Sequence, residues 1–399
     1  MNQVRWIADQ KSWDHLSEQL AGEPELAVDT ESNSLYAYRE RICLVQLATS
    51  DEAYLIDPLA VKDLSSLGRL LADPHILKVL HGSNYDLRSL DREYGYRVKS
   101  LLDTGVAARF LGTARPNLAA VLETFLGVGI PKTKRLQKSD WGLRPLGSLA
   151  MQYAAADVCY LTRLAAELRR RLADLKRLEW LGEECALLEQ IRYSPPESRE
   201  DAFPRTKGSA QLDPGTLAVL KELVAFREAE AQRLDWPPFK VARNDALLFL
   251  AQRPNTPLEK VPGLPRWLVE RSGERIQAAI QQGLRSPGLH RPRTTRWENP
   301  WTPESQARLQ RLKRWRADRG AMLGLDPALL WPTSSLERLA LQPESWREKL
   351  EISPSPPSLK GGVEDLPSDE SDAGEPGVRQ WQRREFAEEL KRVLDERLG

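Results

Sequence analysis

Three cysteines in 399 residues, Cys43, Cys159 and Cys185, are too few and too widely spaced for a disulfide framework or a zinc cluster. They fit buried thiols in a reducing compartment. Histidine is almost as scarce. His15, His75, His81 and His290 include no pair at metal-ligand spacing, which excludes a zinc hydrolase of the HExxH kind. No apolar run approaches the length that spans a bilayer, and the opening residues MNQVRWIADQKSWDHL lack the basic start, apolar stretch and cleavage site of a secretory signal. The expectation is a cytoplasmic protein with no membrane partner. An excess of one charge is also lacking: 58 basic residues face 57 acidic ones. A net charge of +1 leaves nucleic-acid binding open, because a basic groove can be balanced by acidic surface elsewhere.

What is present is a globular composition, 41% hydrophobic and 29% charged, in a chain long enough for two or three cores. Leu26 to Val28, Ile42 to Ala48, Ala53 to Ile56 and Ile76 to Leu80 are short apolar runs bounded by turn residues, as strands are. The early runs lie too close together for crossover helices, which predicts antiparallel neighbours. From about Asn84 helical periods take over, so the first half reads as a mixed sheet covered by helices. One long helix is expected from about Leu146 to Arg171.

Beyond about Ser194 the polar stretch SPPESREDAFPRTKGSAQLDP has no periodicity and reads as a linker. Every later apolar pattern is helical. Asp213 before Pro214 forms an N-cap and N1 pair, and Leu217, Leu220, Leu223, Val224 and Arg227 continue one helix face. This half also repeats itself. Leu220, Leu223, Phe226 and Arg227 are matched at one constant offset by Leu309, Leu312, Trp315 and Arg316; Leu247, Leu250, Ala251 and Pro254 are matched at the same offset by Leu336, Leu339, Ala340 and Pro343. The second module is interrupted by SPSPPSLKGGVEDLPSDESDAGEPG, whose composition cannot bury enough apolar surface to order itself. From Arg379 to Leu398 an amphipathic helix is expected, with Trp381, Phe386, Leu390 and Leu394 near one face.

Chemistry concentrates in the first half. The strand LAVDTES puts Asp29 and Glu31 on one face, since side chains alternate along a strand. Such a pair is common on solvated strands. Here Leu26, Ala27 and Val28 lead into it as a buried strand, where two anions are costly unless something positive neutralises them. In HGSNYDLRSL, Asp86 sits in the first turn of a helix starting near Ser83 or Asn84, a position the helix dipole also favours. In QYAAADV, Tyr153 and Asp157 share one helix face at i,i+4, beside alanines that suit plain packing or close approach to an active-site strand. Four carboxylates from a strand and two helices suffice for two hard divalent ions, Mg²⁺ or Mn²⁺, of the kind that cleave phosphodiesters roughly 3.5 to 4 Å apart.

VDTES, HGSNYDL and YAAAD, in this order, resemble the three motifs of the DEDD exonuclease superfamily in its tyrosine-containing branch, and LQKSDW at Leu136 to Trp141 resembles the segment before the third motif in ribonuclease D proteins. The branch with His in place of Tyr carries it five positions before the last Asp, where this chain has Gln152. LKELVAFREAEAQRLDWPPFKVARNDALLFLAQRPNTPLEKVPGL resembles the HRDC domain found in helicases and ribonuclease D, and the second repeat resembles it more distantly.

The resemblance implies an α/β ribonuclease H-like exonuclease domain with a mixed central sheet (1–195), followed by all-α HRDC-like modules. A linker (196–211) leads to the first module (212–288), and a basic linker (289–300) containing Arg291, Arg293 and Arg296 leads to the second (301–399), with the acidic insertion at about 353–378. By the same resemblance Asp29, Glu31 and Asp157 would ligate the nucleophile-side metal, Asp29 and, through water, Asp86 the leaving-group-side metal, and Tyr153 would orient the attacking water. The implied activity is a 3′–5′ exoribonuclease releasing nucleoside 5′-monophosphates from single-stranded RNA, in processing of tRNA precursors or other stable RNAs. A DNA exonuclease of the same fold and an inert nucleic-acid-binding scaffold are the alternatives. Lys132, Lys134, Arg135 and Lys138 are expected to hold the strand's phosphates at the entrance. After Glu31 the chain runs SNSLYAYRERICLVQL, without the aromatic residue many ribonuclease D enzymes carry there, which bears on substrate preference. Oligomeric state is not legible in the sequence.

Overall fold

The computed structural model describes residues 3–130, 134–195, 208–289, 300–344 and 378–395. The acidic insertion up to residue 377, the linker at 196–207, and Arg291, Arg293 and Arg296 therefore lie outside the described residues, as does Lys132. Ser209–Gln211, placed in the linker on sequence grounds, forms a 3₁₀ turn. Among the described residues no helix is long and apolar enough to cross a membrane.

Six strands, β1 (Gln3–Ile7), β2 (Glu25–Ser32), β3 (Ile42–Ala48), β4 (Glu52–Ile56), β5 (Leu77–Leu80) and β6 (Leu101–Asp103), form one mixed sheet in the order β1-β4-β3-β2-β5-β6. The β2–β3 and β3–β4 pairs are antiparallel, as the short spacing between the runs requires. β5 returns parallel to β2 after the helical crossover, and β1 and β6 close the edges in parallel.

Helices cover both faces. On one, α1 (Gln10–Leu20), α2 (Ser65–Ala72) and α3 (Asn84–Tyr94) bury Trp13, Leu16, Leu67, Leu70 and Leu90 against Leu26, Val28, Val45 and Leu47. On the other lie α4 (Thr104–Phe110), α5 (Leu118–Leu126), the short α6 (Lys134–Gln137), α7 (Ser148–Val158), α8 (Leu161–Asp174) and α9 (Leu178–Leu188). There the strands present small residues, Ala27, Ala48 and Ala53, so the helices approach closely.

The single helix expected from Leu146 to Arg171 is two helices, α7 and α8, broken at Cys159 and Tyr160. No Pro or Gly causes the break. α7 lies across β4, β3 and β2, whereas α8 packs on β2, β5, α4 and α5, and one straight rod cannot serve both surfaces.

The helical half begins with α10 (Pro214–Leu234), α11 (Pro238–Val241), α12 (Asn244–Gln252) and α13 (Arg266–Arg285). The internal repeat is real: α14 (Pro303–Leu323), α15 (Pro327–Leu330) and α16 (Thr333–Leu341) repeat the first three with the same lengths of 21, 4 and 9 residues. The Arg of each module does the same job. Arg227 donates to the Ala242 carbonyl and Asn244 Oδ1, and Arg316 to the Trp331 carbonyl and Thr333 Oγ1.

The two modules differ in how they meet the sheet domain. The first has its own core, into which, among the described residues, Tyr38 alone reaches from the sheet domain. The second shares a core with it: Leu312, Trp331, Leu336 and Leu339 are continuous with Phe110, Leu164 and Leu168. The last helix, α17 (Gln380–Asp395), completes this core. Trp381 stacks on Trp180 with ring centroids 4.5 Å apart, and the edge of Phe110 meets both rings. Glu183 accepts the amide N–H groups of Gln380 and Trp381, satisfying donors that a helix start leaves free. Backbone approaches backbone where a Cβ on Gly112 (φ +84°) would lie 2.4 Å from the Gly324 carbonyl oxygen, so only glycine fits.

Candidate active site

One cavity of about 750 Å³ opens between the sheet and α3, α5 and α7, and its wall contains Asp29, Glu31, Asp86, Tyr153 and Asp157. The expected alternation holds: Asp29 and Glu31 face α7 from β2, opposite Gln46 and Leu44 of β3. A register irregularity follows Glu31, where the pairing with β3 loosens toward the cavity rim. One carboxylate oxygen from each of Asp29, Glu31 and Asp157 lies within 4.8 Å of the others.

Asp86 arrives from the other face, in the first turn of α3, and accepts a 2.6 Å hydrogen bond from Thr30 Oγ1. That turn is held by Asp103, whose carboxylate accepts from the Gly82 and Ser83 amides and Ser83 Oγ while capping α4 through Gly105 and Val106. Gly82, at φ +71°, makes the reversal between β5 and α3.

Tyr153 packs against buried Trp141, the Trp of LQKSDW, with centroids 6.2 Å apart. That segment is strapped down by Arg144, which donates to both oxygens of Asp57 and to the Cys43 and Trp141 carbonyls. Thr30 and Trp141 lie inside the motifs VDTES and LQKSDW but have no role of their own legible there, and Asp103 and Arg144 are not singled out in the sequence. The i,i+4 and strand rules find side chains on one element, and these four act between elements. His81 also lines the cavity, held between Thr104 Oγ1 and the Pro116 carbonyl, with its pKa lowered chiefly by burial.

Of the basic stretch, Arg135 and Lys138 are exposed on and after α6, whose neighbours Gln137 and Ser139 line the cavity. Lys134 starts α6, and its side chain is outside the described set.

The acids are crowded, and in the metal-free protein burial and mutual repulsion raise their pKa values. Burial and then the Asp157 and Asp86 charges push Glu31 up to about 9. Burial pushes Asp157 to about 7 and, against the Thr30 hydrogen bond, Asp86 to about 6. Asp29 is raised well above the usual carboxylate range by burial, then by Asp86, Asp157 and Glu31. Tyr153 is raised too, by burial and by the three acids around it, so its phenol keeps its proton.

Each acid binds its proton more tightly folded than unfolded, where carboxyls titrate near about 4. Their contribution to stability is therefore complete below that pH and is lost as pH rises through about 6, 7 and 9. In EDTA the melting temperature should fall from about pH 5 to about pH 9, and millimolar Mg²⁺ or Mn²⁺ should flatten the fall. Equal slopes with and without metal would mean that the cations do not bind at these acids.

The donor set fits a hard divalent cation: it is all oxygen, and among the described residues the cavity wall contains no Lys or Arg to neutralise it.

A family model described as 3′–5′ exonuclease matches residues 4–173, and an HRDC domain model matches residues 216–280. Ribonuclease D of Granulibacter bethesdensis is 32% identical over 87% of this chain and 86% of its own length. Ribonuclease D of Pseudomonas paraeruginosa is 32% identical, covering 84% and 89%. Among solved structures, Escherichia coli RNase D, described as an exoribonuclease involved in structured RNA processing, superposes with a TM-score of 0.67 at 26% identity over 99% of both chains. The catalytic core of RRP6 from Trypanosoma brucei gives 0.64 at 25% identity over 71% and 80%.

Proposed function

The chain belongs to the ribonuclease D family of 3′–5′ exoribonucleases, and we propose that it shortens single-stranded RNA through the carboxylates of the β2–α7 cavity. The observation that carries this is the convergence of Asp29, Glu31 and Asp157 oxygens within 4.8 Å, with Asp86 and Tyr153 in the same wall. In this reading Asp29, Glu31 and Asp157 would hold one divalent ion, and Asp29 and Asp86 would hold a second, Mg²⁺ or Mn²⁺. Bound there, such ions neutralise the acids and stabilise charge on the attacking and leaving oxygens.

The chain's own groups do the rest. Water attacks the phosphorus of the last phosphodiester, and the bond to the 3′-oxygen of the preceding nucleotide breaks. A nucleoside 5′-monophosphate departs and a new 3′-hydroxyl remains. Tyr153, which keeps its proton beside Asp157, donates a hydrogen bond that orients the water and does not serve as a base. Thr30 and Asp103 keep Asp86 aimed at the leaving side.

The same reading keeps the nuclease at 1–195, the first module at 212–288 and the second at 301–399, and makes tRNA precursors or other stable RNAs the natural substrates. Its test is digestion of a 5′-labelled single-stranded RNA and its DNA twin with Mg²⁺, Mn²⁺ or EDTA. A metal-dependent ladder receding from the 3′ end, stronger on RNA, is the expected result. Binding without shortening would leave an inert scaffold.

Lys132, Lys134, Arg135 and Lys138 are proposed to hold phosphates at the entrance. Replacing all four with Gln should weaken binding of every sequence alike and reduce the salt slope by up to about 0.7 per lost phosphate contact. An unchanged slope returns them to an ordinary solvated loop.

A further inference from the structure

The loop at residues 33–41, between β2 and β3, supplies Ser34 and Leu35 to the cavity wall. Its base is tied to α3: Glu40 pairs with Arg92 at 2.7 Å and accepts from Ser32 Oγ and the Tyr85 hydroxyl. Its tip is held from elsewhere. Asp235 Oδ1 accepts the backbone N–H of Tyr38 at 3.1 Å and of Arg39 at 3.5 Å, and Gln232 donates to the Tyr38 hydroxyl at 2.9 Å. Tyr38 packs against the first module's core, and Lys240 Nζ sits 4.1 Å from the centre of the Tyr36 ring. The Tyr36 hydroxyl in turn donates to the Lys138 carbonyl at 2.6 Å.

Asp235 is an unusual residue for its place. It ends α10 in the left-handed region, at φ 50° and ψ 42°, which glycine adopts freely and other residues adopt at a cost. The equivalent C-cap of α14 in the second module is Gly324, at φ 64° and ψ 34°. A helix end that needs only a left-handed residue has glycine in one repeat. In the other it has a carboxylate turned onto another unit's loop.

We propose that Asp235 is a positioning residue: from the first helical module it fixes the tip of loop 33–41, and through it the cavity wall formed by Ser34 and Leu35. The module thereby shapes the site without lining it, since none of its described residues is among those of the cavity wall. The inference rests on the exonuclease reading.

The test uses full-length Asp235→Gly, which keeps the backbone and removes the carboxylate, and Asp235→Asn, which keeps an acceptor oxygen. Both are assayed on a trinucleotide, held by the cavity and its rim, and on a 20-mer. For Asp235→Gly the turnover of both substrates should fall roughly fivefold, the factor one hydrogen bond of ordinary net strength supplies, at unchanged melting temperature. Asp235→Asn should recover most of it. Without RNA, amide exchange at Tyr38 and Arg39 should accelerate in Asp235→Gly alone. Normal turnover of the trinucleotide overturns the proposal, and a defect confined to the 20-mer assigns the module a direct RNA contact instead. Failure of the unchanged protein to hydrolyse RNA counts against the exonuclease reading, while unaltered exchange at the two amides counts against the Asp235 contact itself.

Discussion

Asp29→Asn is expected to slow nucleotide release by at least about 10³-fold while raising the melting temperature of the metal-free protein. Both effects have one cause. Asp29 is the acid central to the cluster, repelled by Asp86, Asp157 and Glu31, and in the proposed arrangement it is shared by both cations. A neutral amide of the same shape keeps the Gln46 neighbour and relieves the repulsion, but it offers a much poorer ligand. Steady-state rates with Mg²⁺ and melting in EDTA, measured on one preparation, decide the matter. Loss of activity with a lowered melting temperature would point to misfolding, and activity within about tenfold of the unchanged protein would remove Asp29 from the chemistry.

Trp381→Ala should cost about 3–5 kcal/mol, the range for deleting a large aromatic side chain from a packed interior. Trp381 is 1% exposed, lies against Trp180, Phe110 and Phe386, and donates from Nε1 to Glu184 at 3.2 Å. Because this core is continuous with the sheet domain, the loss should appear in unfolding of the nuclease half and not only of α17. Urea titration followed by circular dichroism measures it, with Trp236→Ala as the comparison. Trp236 is 41% exposed on the first module and touches Trp267 at its edge, so its removal should cost much less. Equal losses for the two variants would contradict a shared core.

Much of the site was legible because its groups sit at spacings that periodicity decodes. Two residues along β2 put Asp29 and Glu31 together, and one helical turn joins Tyr153 to Asp157. The acids' convergence from three elements followed from their order resembling known motifs, since nothing local to Asp86 says which strand it will face. Partners that bridge elements stayed hidden: Thr30 to Asp86, Asp103 to the start of α3, Arg144 to Asp57. Each reads as an ordinary polar residue until tertiary structure supplies its neighbour.

The same limit explains the fold. β2, β3 and β4 declare themselves as apolar runs, whereas β6 has three residues and β1 alternates apolar and polar side chains at an edge. The helix break at Cys159 carries no breaker residue, because its cause lies in the surfaces that α7 and α8 cover. The repeat of α10–α12 in α14–α16 was visible as register between side chains. That one module would merge with the nuclease and the other would touch it through a loop was not, for both present similar apolar faces.

The shared core also sets an order of events during synthesis. The ribosome delivers the sheet, the acids and α7 long before residues 380–395, yet Trp180 and Phe110 lack their stacking partner until α17 emerges. A chain stopped before α17 would carry every acid of the cavity on a scaffold that lacks this packing.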